Sequence, residues 1–144
     1  MTTLKAALGG VRPPGLYRYA ARTAPATVRR TAESLGWRFF YLDGDHITNK
    51  ASFLDAAAQA MAFPSYFGHN WDAFEDMIND LSWAAAPGYV LLYDHAAPFA
   101  LAAPGDFLTA LDILRTASGR WRTDGTPFYA LVRGSDIDAP SLTA

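Results

Sequence analysis

Residues 89–93 read YVLLY, an unbroken apolar run bounded by Pro87-Gly88 on one side and Asp94 on the other. A strand with one wet face alternates polar and apolar residues. A continuous apolar run of strand length instead fits a strand covered on both faces, as in parallel sheets between helices. Two other segments fit the same sheet. WRFFYL, 37–42, is aromatic and apolar and closes on the turn pair Asp43-Gly44. FYALV, 128–132, follows the turn TDGTP at 123–127.

Helices separate these strands. Pro25 suits the first turn of a helix over 25–35, with Gly36 as its stop. Asn49 can cap a helix whose apolar face is Phe53, Leu54, Ala57, Ala58 and Met61, ended by Phe63-Pro64. Asn70 can cap the next. Pro98 and Pro104 each can open a helix, the second over 106–117 with its stop at Gly119. No hairpin is evident. The expectation is an α/β protein with a small parallel sheet packed by helices. Three strands form its core, and LYRYA, 16–20, is a candidate fourth. We expect one domain over 1–144: an N-terminal extension over 1–36, a core over 37–134, and a loose tail over 135–144. GGVRPPG, 9–15, reads as irregular chain.

The chain has 144 residues, enough to bury a core without disulfides or metal, and no cysteine. Its N-terminus lacks the apolar run of a signal peptide, and no segment approaches a membrane span. A soluble cytoplasmic protein is expected, without a membrane partner. The net charge of −2 hides an asymmetry. Residues 1–50 carry +5, residues 51–114 carry eight acids and no Lys or Arg, and residues 115–144 carry +1. The acidic block repels nucleic acid and attracts basic partners. The arginines of the first part, Arg12, Arg18, Arg22, Arg29 and Arg30, read as a solvated face, so no direct nucleic-acid contact is expected.

The acids concentrate in FPSYFGHNWDAFEDMINDL, 63–81. On a helical wheel, Trp71, Phe74, Met77, Ile78 and Leu81 share one arc. Asp72, Glu75, Asp76, Asn79 and Asp80 share the other. Like charges one turn apart cost about 0.2–0.5 kcal/mol per pair. Asp72 recovers part of this at the helix N-terminus, whereas Asp76 and Asp80 lie too far along. Three readings fit: a solvated acidic face, a docking surface for a basic partner, or a carboxylate pair for metal or acid–base work. The last would make Asp72 and Asp76 the centre of a carboxylate-dependent hydrolase.

Pro64 to Ile78, P-S-Y-F-G-H-N-W-D-A-F-E-D-M-I, closely resembles the signature of the barstar family of ribonuclease inhibitors. There Pro-x-Tyr-Tyr/Phe-Gly-x-Asn leads into Leu/Trp-Asp-Ala-Leu/Phe-x-Asp. The likeness extends from about Trp37 to Gly134 in the order of elements. The resemblance implies a non-enzymatic inhibitor of the immunity or antitoxin type. It would block a ribonuclease, or another toxin with an electropositive active site, through the acidic helix and its preceding loop. It assigns partner contact to Tyr66, Gly68, His69, Asn70, Asp72, Glu75, Asp76, Asp80 and Trp83. Two positions depart from the family's prototype. Glu75 stands where the prototype has Trp, and a late contact acid falls at Arg115-Thr116, neither acidic. An interaction module of the same fold with a non-nuclease basic partner is the alternative.

Other motifs add little chemistry. Asp43, Asp45 and His46, in DGDH, follow a strand as ligand loops do, but lack the Gly and distal Glu of a calcium loop. His46, His69 and His95 show no ligand spacing, so no metal is expected. No nucleophile elbow, Gly-x-Gly-x-x-Gly or P-loop occurs, so no catalytic residue and no cofactor are expected.

Overall fold

The computed structural model describes residues 3–143. Five strands form one sheet: β1 (Leu16–Tyr19), β2 (Arg38–Asp43), β3 (Tyr89–Asp94), β4 (Phe128–Val132) and β5 (Ser141–Leu142). Their order is β2-β3-β4-β1-β5 and every pairing is parallel. YVLLY forms an inner strand of this sheet, between β2 and β4. All six residues of β3 are buried, as the uninterrupted apolar run required. The helices are α1 (Leu4–Ala6), α2 (Pro25–Ser34), α3 (Lys50–Ala60), α4 (Trp71–Asp80), α5 (Ala97–Ala102) and α6 (Pro104–Thr123).

Side chains alternate across each strand, so the sheet has two apolar faces. Phe40, Leu42, Leu91, Tyr93, Ala130 and Val132 point to the face covered by α3, α4, α5 and α6. Phe39, Val90, Leu92, Tyr129 and Leu131 point to the other face, covered by Leu4, Ala7, Leu8, Val28 and Ala32. The first 36 residues therefore supply both a strand inside the sheet and the roof over its second face.

Three expectations are corrected. The tail is not loose: Arg18 and Tyr19 pair with Ser141 and Leu142, and Leu142 is buried. Two residues are too short for a strand pattern, and the pairing comes from the free edge of β1. Gly119 does not stop α6, which continues to Thr123. A Cβ there would meet nothing, so this glycine costs the helix only propensity. The stop is Gly125, in the left-handed region at φ +86°. GGVRPPG is not wholly irregular either, because Ala7–Val11 forms a π-helical turn that ends after Gly10, at φ +113°.

Candidate functional site

The acidic helix α4 is built from both ends. Asn70 Oδ1 accepts from the Ala73 N–H at 2.7 Å, and Asn70 Nδ2–H donates to the Gly68 carbonyl at 3.3 Å. At the other end, Leu81 turns left-handed at φ +50° and its N–H donates to the Met77 carbonyl. Phe74, Met77, Ile78 and Leu81 are buried, and Trp71 is half-buried with Lys50 Nζ 5.5 Å from its ring centre. The wheel is thus the observed packing. Asp72, Glu75, Asp76 and Asp80 all lie exposed on the opposite side.

No hydrogen bond or ion pair among the described residues reaches any of these four carboxylates. Lys50 lies over Trp71 at the start of α4 without an ion pair to these acids, and other cations are engaged elsewhere. Arg115 pairs with Asp112 at 2.7 Å and donates to the Asp138 carbonyl at 2.9 Å. Arg133 is held by Asp94, and Arg29 lies 3.8 Å from Glu33. No ion pair among the described residues therefore relieves the repulsion along α4.

The preceding loop is stiffened by packing. Phe63 stacks edge-on to Phe67 and to Trp83, with ring centres 5.0 and 5.8 Å apart. Tyr66 stands out from this cluster at 68% exposure, a large aromatic ring left in water. His69 adopts φ +51°, unusual for a residue with a side chain. Its Nδ1 lies 3.1 Å from the Phe67 carbonyl and its Nε2 3.2 Å from the Asp55 carboxylate on α3.

The residues assigned to partner contact therefore differ in how they are held. The side chains of Tyr66, Asp72, Glu75, Asp76 and Asp80 are exposed and have no hydrogen-bond partner among the described residues. Asn70 is engaged in the cap, and His69 braces the loop against α3. Trp83 is half-buried and its indole N–H donates to the Met61 carbonyl at 2.9 Å, so it anchors the loop. The resemblance assigns it to partner contact, and a tryptophan's internal bond leaves no trace in the chain order.

A second cluster lies at the carboxyl ends of β2 and β3. Asp43, Asp45 and His95 bring one ligand atom each within 4.8 Å of one another, an arrangement able to hold a cation. Here the sequence reading is corrected: the histidine beside Asp43 and Asp45 is His95, not His46. The register of β2 on β3 brings Asp43 level with Asp94 and so sets the two turns side by side. Gly44 is required there, since a Cβ would lie 2.5 Å from the His95 carbonyl oxygen and 2.7 Å from the Tyr93 ring. His95 Nδ1 sits 2.8 Å from Asp43 Oδ1; this hydrogen bond raises the imidazole's pKa and lowers the carboxyl's. Next to it, Asp94 is gripped by Arg133 at 3.0 and 3.1 Å and accepts from the Tyr41 hydroxyl. Burial pushes the Asp94 carboxyl up, but these donors more than offset it and hold the pKa low. Burial and the same carboxylate push the Tyr41 hydroxyl up to about 12.

These features define a parallel α/β sandwich that presents an exposed acidic helix and an exposed aromatic ring on the loop before it. The chain belongs to the barstar (barnase inhibitor) family, whose model matches residues 37–133. That is an inhibitor family, not a family of enzymes. A comparison with curated proteins finds no match. Among solved structures, the ADP form of the Aeropyrum pernix ORC2 protein is similar, with TM-score 0.58 and 15% identity over 93% of this chain. Its ADPNP-ADP complexes give 0.56 and 14% over 89%. This chain spans 39% and 36% of those proteins, and at such identities the likeness is one of fold. The connection from β1 to α2, AARTAP, lacks the Gly-x-x-x-x-Gly-Lys-Ser/Thr of a phosphate-binding loop.

Proposed function

We propose that the chain is an inhibitor of the immunity or antitoxin type that docks α4 and the loop before it into the electropositive active site of a ribonuclease-like partner. Tyr66, Asp72, Glu75, Asp76 and Asp80 make the contacts, while Gly68, His69, Asn70 and Trp83 hold them in place. One observation carries this reading: four carboxylates on a rigid helix, with no ion pair to them among the described residues. Cations of the partner relieve that repulsion on binding, which strengthens the complex and speeds encounter. Glu75, and Arg115 where the family's prototype has an acid, make the surface unlike the prototype's. The partner is thus a nuclease of different cationic layout. The protein acts inside the producing cell, without nucleic acid or membrane.

The experiment is co-purification from the native cell with wild type and Asp72→Asn/Asp76→Asn. The variant is expected to fold normally and to lose one basic partner that the wild type retains and whose RNA cleavage the wild type blocks. Retention of every partner by the variant would refute the docking role. Loss of a basic partner without nuclease activity would instead establish an interaction module on the same scaffold.

A further inference from the structure

The carboxyl edge of the sheet carries a cavity of about 420 Å³ lined by no residue of α4 or its loop. Its position follows from the topology. From β1 the chain crosses to β2 at one margin of the sheet, while from β4 it passes over to β5 at the other. β1 and β4 are neighbours, so the connections leaving their carboxyl ends diverge and leave a crevice between them. In open parallel sheets such switch points receive ligands. The volume lies within the range of small-molecule sites, about 300–1,000 Å³.

The walls of this crevice are set before anything binds. Arg133 Nη1–H donates to the carbonyls of Ala21 and Thr23 at 3.1 and 2.7 Å, pinning the loop after β1, while its Nε and Nη2 bond Asp94. Arg133 is therefore a neutralised strut. Two guanidinium groups remain on the wall. Arg18 donates to Ser141 Oγ at 2.6 Å and lies 3.8 Å from the Asp136 carboxylate, which is almost fully exposed. Arg22 has no hydrogen bond or ion pair among the described residues, and neither does the Ser135 hydroxyl. Tyr19, buried beneath the Arg133 guanidinium at 5.5 Å, backs the strut from below.

We infer that this crevice binds a small phosphate monoester. Arginine forks match phosphate oxygens two at a time, and a dianion offers both guanidinium groups a partner at once. Asp136 is the single acid in the lining and its loose, solvated contact with Arg18 leaves room for exchange. The methyl groups of Ala20 and Ala21 receive the organic part. The loop is already fixed by Arg133, so little ordering opposes binding. This inference is independent of the acidic helix.

The test uses the full chain, with ribose 5-phosphate, inorganic phosphate and ribose as probes at constant ionic strength, followed by amide chemical shifts. Ribose 5-phosphate is expected to give saturable shifts confined to residues 18–24 and 133–136, with ribose at least tenfold weaker. Arg22→Ala is expected to weaken binding about tenfold, or ~1.4 kcal/mol, while Arg30→Ala leaves it unchanged. Both positions are exposed, and equal melting temperatures for the two variants will show that the fold is intact. The proposal is overturned if no saturable shift occurs, or if Arg22→Ala binds as the wild type does. It is overturned as to ligand class if inorganic phosphate binds as tightly as the sugar phosphate.

Discussion

The indole N–H of Trp121 donates to the carbonyl oxygen of Ile78 at 2.9 Å, tying α6 to the last turn of the acidic helix. A helix leaves its final carbonyls without intrahelical donors, and here a neighbouring helix takes up one near that end. The same ring lies 5.3 Å from Tyr89. Trp121→Phe keeps that ring contact and removes the bond. We expect a loss of about 1 kcal/mol in denaturant unfolding, with faster amide exchange concentrated in residues 78–81.

Tyr93 presents the opposite situation. Its ring packs between Phe53 and Phe107, and its buried hydroxyl has no hydrogen-bond partner among the described residues. Burial of this group drives its pKa upward. Tyr93→Phe removes an unsatisfied polar atom and leaves the ring, so the variant should be at least as stable as the wild type, by up to about 1 kcal/mol. A lowered melting temperature would show that the hydroxyl has a role that the packing does not reveal.

Arg133→Ala should be the most damaging of the surface-edge substitutions. It leaves Asp94 buried without its bidentate partner and frees the carbonyls of Ala21 and Thr23 at once. Breaking a buried pair from one side costs about 3 kcal/mol or more. The double variant Arg133→Leu/Asp94→Leu should recover part of that loss, measurable by a double-mutant cycle in urea.

The His95–Asp43 pair sets a pH signature. His95 is raised above its ordinary 6.5, so its contribution is complete below that value and lost as pH climbs through the raised one. Asp43 is lowered below its ordinary 3.8, so its contribution holds above that value and vanishes as pH falls through the lowered one. The pair therefore supports the fold most between about 4 and 6.5. Both groups are half-exposed, so the effect is small, about 0.5 kcal/mol. His95→Gln should flatten the stability profile on the alkaline side of that window.

Recharging the acidic helix should stabilise it. Asp80 lies in the last turn of α4, against the negative end of the helix dipole, one turn beyond Asp76. Asp80→Lys relieves both effects, and a gain of about 0.5 kcal/mol in thermal or chemical unfolding is expected. Partner affinity should fall in the same variant.

Much of this was legible because local signals and tertiary packing agree. The YVLLY run announced a strand buried on both sides, and the spacing of Phe74, Met77, Ile78 and Leu81 announced the core face of α4. Asn49 and Asn70 cap the helices they were expected to cap. The strand Ser141–Leu142 was not legible, because two residues hold no period and its pairing depends on β1 lying nearby. The end of α6 was misplaced because Gly119 looks like a stop in sequence, whereas helix packing through Ser118 and Trp121 carries the chain past it. The cluster of Asp43, Asp45 and His95 spans two turns joined only by strand register, so no contiguous motif could announce it. The resemblance assigns Trp83 and His69 to partner contact; in the fold the Trp83 indole N–H bonds Met61 and the His69 ring lies 3.2 Å from the exposed Asp55 carboxylate.

The segment matching the family begins after the residues that shield Phe39, Val90, Leu92, Tyr129 and Leu131. A trimmed version starting at Trp37 would keep the recognition helix and yet expose a greasy, aromatic plane as wide as the sheet. Such a fragment would fail in the test tube by clumping, and that failure would say nothing about whether its acidic side still knows its target.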